Sequence, residues 1–208
     1  MIAVIDYGLG NLFSLTSSLR ALGAEVVVTA DSRVISQAER LILPGVGAFG
    51  DAMSRLKDIG LDKVLQEQAA LGKPLMGICL GMQILFEQGY EYGHHQGLGL
   101  IPGRVASLEE ALQQAGYALK IPHMGWNALA ISQPECALMK KSLQGDFVYF
   151  VHSFYAQADA KYLVATSEYG IDVPAVVNND NVYGCQFHPE KSGRVGLNIL
   201  RAFLELEA

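Results

Sequence analysis

Two short stretches of the chain carry side chains that could together perform nucleophilic catalysis. The first is Gly77-Ile-Cys79-Leu-Gly81, which directly follows the apolar residues Pro74-Leu-Met76. A residue at a sharp strand-to-helix turn is forced toward strained backbone angles, and glycines on either side relieve the crowding. The turn would place the sulfur at the carboxyl ends of the strands and at a helix start, where free N–H groups favour a thiolate. We therefore expect Cys79 to be a nucleophile, with a buried structural cysteine as the alternative.

The second stretch is Gln186-Phe-His188-Pro-Glu190, which ends an apolar run. Residues two apart in an extended segment point the same way, so His188 and Glu190 should lie on one side. A carboxylate that accepts from one imidazole nitrogen orients the ring and leaves the other nitrogen to act as base and acid. Beside a cysteine elbow, this pair makes a Cys79–His188–Glu190 triad the favoured interpretation.

A glycine-rich turn could complete such a site. Leu43-Pro-Gly45-Val46-Gly47 follows a predicted strand, and backbone N–H groups there could face a developing oxyanion. Taken alone, the stretch is only a turn.

The elements that must position these groups alternate in the first half of the chain. Apolar runs at residues 2–5, 26–28, 41–43 and 75–78 predict buried strands, and amphipathic stretches between them predict helices. One helical stretch should run from about Asp51 to Leu71 with a break near Gly60, and another from about Leu80 to Phe86. Uniformly apolar strands alternating with helices indicate a parallel sheet covered on both faces.

The second half of the chain has a different pattern, in which predicted strands predominate. Runs at residues 127–131, 147–156, 162–167, 175–177 and 182–187 suit strands, and residues 178–181 are a hairpin signal. A final amphipathic helix should begin after Ser192 as its N-cap. The fold class is therefore α/β, a mostly parallel central sheet with helices on both faces plus an antiparallel C-terminal portion, in a single domain over residues 1–208.

Composition excludes several classes of protein. The net charge of −6 argues against a nucleic-acid or membrane surface as the main partner. Three cysteines without a repeated spacing indicate a reducing, cytoplasmic compartment rather than a disulfide framework. The N-terminal residues do not resemble a signal peptide, and no apolar run is long enough to span a membrane. We expect no metal site and no cofactor.

A glycine-rich loop after the first strand resembles a dinucleotide-binding turn only in part. Gly8-Leu-Gly10 begins such a motif, and Asp31 lies where a ribose-binding acid could be. The third glycine position holds Phe13, where close packing of helix on strand leaves no room for a side chain. A nicotinamide enzyme is therefore disfavoured.

The three motifs together resemble those of class I glutamine amidotransferases, and the resemblance covers essentially the whole chain. The finer similarity is to the glutaminase subunits of imidazole glycerol phosphate synthases, which act in histidine biosynthesis. It is carried by four further stretches: Asp6-Tyr-Gly-x-Gly-Asn-Leu12, Pro44-Gly-Val-Gly-Ala-Phe49, His123-Met-Gly-Trp-Asn127 and Phe150-Val-His-Ser153.

The resemblance implies a mechanism and a set of roles. Glutamine is the implied substrate, Cys79 attacks its side-chain amide, His188 transfers protons and Glu190 holds His188. Backbone N–H groups of Gly45, Val46, Gly47 and Leu80 would form the oxyanion hole. Gln83, one helical turn beyond Cys79, and Glu91 would bind the substrate.

The resemblance also implies a partner, a (β/α)₈-barrel synthase subunit that uses the ammonia in a heterodimer and catalyses the ring-forming, lyase step. This chain is too short to contain that barrel, which takes about 250 residues. The candidates for the surface that faces the partner are Asn11, Trp126, Asn127, Tyr149 and Lys191.

Three alternatives stay open from the sequence. A different amidotransferase or a γ-glutamyl hydrolase could carry the same triad, and a binding scaffold could retain an inactive elbow. The roles of His123, His152 and Cys136 are undecided, and His94 and His95 are expected to face solvent.

Overall fold

The computed structural model describes residues 1–206 and contains three sheets with helices packed around the largest. The strands are β1 (Ile2–Ile5), β2 (Val26–Thr29), β3 (Arg40–Leu43), β4 (Leu75–Ile78), β5 (Phe86–Gly89), β6 (His95–Gln96), β7 (Ile101–Ser107), β8 (His123–Ala128), β9 (Ala130–Ile131), β10 (Phe147–His152), β11 (Phe154–Gln157), β12 (Leu163–Tyr169), β13 (Ile171–Asn179) and β14 (Val182–Cys185). The α-helices are α1 (Leu12–Ala21), α2 (Ser32–Gln37), α3 (Phe49–Asp58), α4 (Leu61–Ala70), α5 (Leu80–Gln83), α6 (Leu108–Gln114) and α7 (Gly193–Leu204).

The large sheet joins a parallel half to an antiparallel half, which confirms the predicted fold class. Its eight strands run in the order β2-β1-β3-β4-β14-β13-β12-β9. The pairs from β2 to β14 are parallel, and the pairs from β14 to β9 are antiparallel. Strand β14 comes late in the chain but lies in the middle of the sheet, between β4 and β13.

The core lies on both faces of this sheet because successive strand residues point to opposite sides. On one face, Ile5, Leu43 and Leu75 pack with side chains from α2, α3, α4 and α5. On the other face, Val4 and Met76 pack with side chains from α1 and α7. Fully apolar strands are therefore buried on both sides, as their sequences predict.

Two smaller sheets stand apart from the large one. Strands β8 and β10 form an antiparallel ribbon, and β11, β7, β5 and β6 form a four-stranded sheet in that order. The run at residues 147–156 was expected to be one strand, but it divides at Ser153 into β10 and β11, which belong to different sheets. The run at residues 127–131 likewise divides between β8 and β9.

One local prediction is wrong, and another is confirmed only for the backbone. The helix expected over residues 80–86 ends at Gln83, because Phe86 begins β5 and pairs in parallel with Ile101. Ser192 precedes α7 as expected but does not cap it with its side chain. Its hydroxyl instead donates to the His188 carbonyl at 2.7 Å and accepts from the Tyr149 amide at 3.0 Å, which ties the residues around His188 to β10.

No helix within residues 1–206 combines the length and the apolarity that crossing a membrane requires.

Candidate active site

The three motifs meet because the strands that precede them are neighbours. Strands β3, β4 and β14 lie side by side and parallel, so their carboxyl ends share one edge of the sheet. Pro44 follows β3, Cys79 follows β4, and His188 lies shortly after β14. The Cys79 amide donates to the Cys185 carbonyl at 2.7 Å, which fixes the two turns to each other.

The backbone at Cys79 has the strained geometry predicted for an elbow. Its φ is 55° and its ψ is −113°, a conformation that side-chain-bearing residues rarely adopt. Helix α5 begins at the next residue, and the Gln83 amide donates to the Cys79 carbonyl at 3.1 Å. Gly81 is required by packing, because a Cβ there would lie 1.8 Å from the Leu43 carbonyl oxygen.

A cavity of about 360 Å³ lies over this edge of the sheet and is large enough for a small substrate. It brings together residues that are distant in the sequence. Its lining comprises Val46, Gly47, Cys79, Leu80, Gln83, Glu91, Pro122, Val151, His152, Ser153, Phe154 and His188. Cys79 is 7% exposed, and it reaches the cavity as well as the apolar side chains of the core beneath it.

His188 and Glu190 form a buried ion-pairing unit beside the sulfur. His188 Nδ1 lies 2.8 Å from Glu190 Oε1, and both side chains are almost fully buried. Burial disfavours charge on His188, but hydrogen bonds to Cys79 and Glu190 and the charges of both outweigh it and raise its pKa to about 9. At neutral pH this unit therefore favours an imidazolium beside the sulfur.

The local shape of this segment differs from the extended one that we predicted. Residues Pro189–Lys191 form a 3₁₀ turn, so His188 and Glu190 meet through that turn rather than through strand alternation. Glu190 Oε2 is buried and makes no hydrogen bond within residues 1–206.

The glycine-rich turn after β3 borders the cavity at two of its three predicted oxyanion positions. Val46 and Gly47 line it, as does Leu80 at the start of α5. Gly45 lies behind them, where a Cβ would come within 2.6 Å of the Tyr7 hydroxyl. That hydroxyl donates to the Pro44 carbonyl at 2.8 Å and so anchors the start of the turn.

The two predicted substrate-binding residues both line the cavity. Gln83 is buried, and its Nε2 donates to the Phe154 carbonyl at 2.9 Å and to Gln186 Oε1 at 3.1 Å. Glu91 Oε2 accepts from the Phe49 amide at the start of α3 at 2.7 Å. Burial raises the pKa of Glu91, and this hydrogen bond offsets the rise in part.

The protein family that the sequence matches agrees with this geometry. The sequence profile described as "Glutamine amidotransferase class-I" matches residues 3–206. The chain belongs to the class-I glutamine amidotransferase family.

Curated relatives and solved structures of this family cover nearly the whole chain. A Listeria monocytogenes protein named imidazole glycerol phosphate synthase subunit HisH is 49% identical over 206 residues, 99% of this chain and 96% of that protein. A Bacillus licheniformis protein of the same name is 50% identical over 204 residues, 98% and 95% of the two chains. A crystal structure of a glutamine amidotransferase superimposes with a TM-score of 0.75 at 18% identity, covering 99% and 98%. The structure of PurLQS from Thermotoga maritima superimposes with a TM-score of 0.72 at 21% identity, covering 98% of this chain and 96% of that one. At these identities, the structural likeness bears on the fold alone.

In this amidotransferase chain, His152 lines the cavity and His123 lies behind it in contact with its ring, which accounts for two residues whose roles the sequence left open. His123 Nδ1 lies 3.0 Å from His152 Nε2, and His152 Nδ1 lies 2.8 Å from the Phe154 carbonyl, to which it donates. Burial lowers the pKa of both, that of His152 to about 3. The pair is therefore neutral at physiological pH and orders the wall formed by β10 and β11.

The residues predicted to face a partner lie at the same edge of the sheet. They differ in how far their side chains are exposed to solvent. Trp126 is 52% exposed, and its ring packs edge-on to that of Tyr149 with centroids 6.1 Å apart. The Lys191 ammonium lies 5.9 Å from the centre of the Tyr149 ring. Asn11 is exposed and caps α1 by accepting from the Ser14 amide. Asn127 is instead turned into the chain, where its Nδ2 donates to the Glu168 carbonyl.

Other residues singled out from the sequence have structural surroundings. Asp31 caps α2 by accepting from the Arg33 amide at 2.8 Å, so the loop that resembled a dinucleotide site has no free acid there. His94 is exposed as expected. His95 is not, because its ring packs against Gly50 and its Nε2 lies 3.0 Å from the Glu91 carbonyl.

Sequence reasoning missed Gln186, which is fully buried and contacts both Cys79 and Gln83. The alternation that drew attention to His188 and Glu190 also places Gln186, two residues before His188, toward the same side. That signal could have identified it.

Proposed function

We infer that this chain is the glutaminase subunit of an imidazole glycerol phosphate synthase. The observation that carries the inference is the convergence of Cys79, His188 and Glu190 at one cavity, in a chain about half identical to the HisH subunits over nearly its full length. It hydrolyses glutamine to glutamate and ammonia in histidine biosynthesis.

We assign the chemistry to the triad. The Cys79 thiolate attacks the amide carbon of glutamine and forms a tetrahedral oxyanion. His188 gives its proton to the departing ammonia, which leaves a glutamyl thioester on Cys79. His188 then takes a proton from water, whose oxygen attacks the thioester, and glutamate leaves as the Cys79 thiolate is restored beside protonated His188. Glu190 keeps the imidazole in place throughout.

The surroundings of the triad suit this sequence of steps. Backbone N–H groups at Val46, Gly47 and Leu80 border the cavity where the oxyanion would form, and Gly45 shapes the turn behind them. Such a donor is worth about 3 kcal/mol in the transition state. Glu91 presents a carboxylate to the cavity for the substrate's α-ammonium group, and Gln83 presents its amide oxygen.

We propose that the ammonia passes to a (β/α)₈-barrel subunit that docks over the cavity to form a heterodimer. Along β8 and β10, alternate side chains face outward and form an apolar surface, here named the ribbon platform. Its members are Met124, Trp126, Phe147, Tyr149 and Val151. Val151 also lines the cavity, so the platform reaches the site. In this proposal, Asn11 and Lys191 lie at the borders of the platform.

We also propose that the protein acts in the cytoplasm, because its cysteines are free thiols.

The test measures glutamate release by the free chain and after addition of the barrel subunit with its ribonucleotide ligand. We expect glutamine turnover to rise strongly when the barrel subunit is added. In Cys79→Ala, turnover under the same conditions should be at least about a thousandfold lower than in the wild type. Cys136→Ala is the matched control and should retain activity, because Cys136 lies away from the cavity.

Substantial turnover by Cys79→Ala would refute the assignment of the nucleophile. Hydrolysis of γ-glutamyl peptides without any partner would favour the γ-glutamyl hydrolase alternative instead, and activation by a different synthase would favour another amidotransferase.

A further inference from the structure

Gln186 is an unassigned polar residue in the most buried part of the site. It follows β14 directly, between the fully buried Cys185 and Phe187, and its own side chain has no solvent exposure. Its Nε2 lies 3.9 Å from Cys79 Sγ. A buried amide costs free energy unless its polar atoms form hydrogen bonds, so the presence of Gln186 at this position calls for an explanation.

A series of hydrogen bonds fixes which end of the Gln186 amide faces the sulfur. The Phe154 carbonyl can only accept, so the Gln83 side chain must present its Nε2 there, at 2.9 Å. The same Gln83 Nε2 lies 3.1 Å from Gln186 and requires an acceptor, which is Oε1. The other end of the Gln186 amide, the N–H donor, is then the end that faces Cys79.

The anchor of this series is itself held in place. The Phe154 carbonyl also accepts from His152 Nδ1 at 2.8 Å. That imidazole is locked in turn by its contact with His123 Nδ1 at 3.0 Å. The orientation of the Gln186 amide is therefore imposed by the wall of the cavity and does not depend on bound substrate.

The donor matters because another neighbour of the sulfur has the opposite effect. The Val151 carbonyl lies 3.9 Å from Cys79 Sγ and can accept from a thiol S–H, which favours the uncharged form. An N–H donor favours the thiolate. The amide therefore acts on the sulfur in the direction opposite to that of the carbonyl.

We propose that Gln186 is a positioning residue that holds an N–H donor on the sulfur of Cys79 and so favours its thiolate before glutamine binds. The proposal rests on the assignment of Cys79 as the nucleophile. It adds a second contact to the sulfur besides that of the catalytic imidazole, and it gives Gln83 a second task, that of orienting the Gln186 amide.

The test is the pH dependence of Cys79 alkylation by iodoacetamide in the free, full-length chain, measured by peptide mass spectrometry from about pH 5 to about pH 10. In Gln186→Met, which keeps the bulk and removes the donor, we expect the midpoint to move up by about 0.5 to 1 pH unit. Below the midpoint this is about a three- to tenfold slower reaction. Gln68→Met is the matched control, because Gln68 is a buried glutamine on α4 outside the cavity.

A second variant tests the orientation itself and covers the case in which Gln186→Met does not fold. Gln83→Met leaves Gln186 intact but removes the donor that fixes its amide, so its midpoint should shift in the same direction. Profiles of either folded variant that coincide with the wild type, or an equal shift in Gln68→Met, would overturn the proposal. Failure of the nucleophile assignment is recognised separately, by glutamine turnover in Cys79→Ala.

Discussion

At the scale of single residues, the surroundings of His188 favour its protonated form. His188 has a pKa of about 9 because hydrogen bonds and charges from Cys79 and Glu190 outweigh its burial. It therefore carries its proton at neutral pH and loses it only as the pH rises toward 9. In the proposed mechanism, the acid that ammonia departure needs would then be present before glutamine enters.

Glu190→Gln tests this arrangement. The variant keeps the bulk but removes the negative charge, so the pKa of His188 should fall from about 9 toward its ordinary value. The alkaline limb of the kcat/KM profile for glutamine hydrolysis, which reports the free enzyme, should then move down by at least about one pH unit. At neutral pH, kcat should fall about ten- to a hundredfold.

The matched control for this experiment is Glu205→Gln. Glu205 is exposed and pairs with Lys141 at 3.0 Å, so its removal should leave the profile of the wild type unchanged. An alkaline limb that stays in place in Glu190→Gln would show that the carboxylate does not set the protonation of His188.

At the scale of secondary-structure elements, the elbow depends on how closely α5 approaches β3. A Cβ at Gly77 would lie 2.5 Å from the Gly81 carbonyl oxygen, and one at Gly81 would lie 1.8 Å from the Leu43 carbonyl oxygen. Both contacts are with backbone, which cannot rotate away. The two glycines that bracket Cys79 are therefore required by close packing, and neither has a positive φ.

Gly81→Ala should consequently be among the most damaging small substitutions in the chain. We expect it to lower the free energy of unfolding by about 3 kcal/mol or more, since over-packing displaces β3 or α5. Gly60→Ala is the matched control. Gly60 has a φ of 73° but nothing within 4 Å of an added Cβ, so it should cost only about 1 kcal/mol. Urea unfolding of both variants measures the difference, and equal losses would contradict the packing argument.

Some secondary-structure elements could be predicted from the sequence and others could not. The apolar runs at β1, β3 and β4 and the break at Gly60 were sufficient to locate the parallel half, because each signal is local. The division at Ser153 was not predictable, since β10 and β11 pair with β8 and β7, which are distant in the sequence. Spacing predicted the cysteine, imidazole and carboxylate that the structure brings together, whereas the contacts of Gln186 with Gln83 and Cys79 depend on the tertiary structure.

At the scale of the whole molecule, the cavity and the ribbon platform share one end of the large sheet. Alternation along β8 and β10 turns Phe150 and His152 inward and Trp126 and Tyr149 outward. Exposed apolar and aromatic side chains grouped in this way are typical of a protein interface. A partner seated there would cover the mouth of the cavity and limit the escape of ammonia to water.

Trp126→Ala should weaken binding to the barrel subunit by about thirtyfold, which corresponds to roughly 2 kcal/mol. Calorimetric titration of the two subunits measures the dissociation constant. Leu71→Ala is the control, because Leu71 is 77% exposed but follows α4 and precedes β4 at the opposite edge of the sheet. Equal affinities for Trp126→Ala and the wild type would place the interface elsewhere.

The central place of β14 has a consequence for how the chain matures. The segment that contributes the imidazole is inserted between β4 and β13, yet it follows both of them in the chain. A nascent polypeptide still lacking that strand would hold its sulfur beside an open gap, with no proton donor for a leaving group. Ammonia release should therefore begin only after residues 182–190 have been synthesised, and synthesis interrupted before them should yield no glutaminase activity.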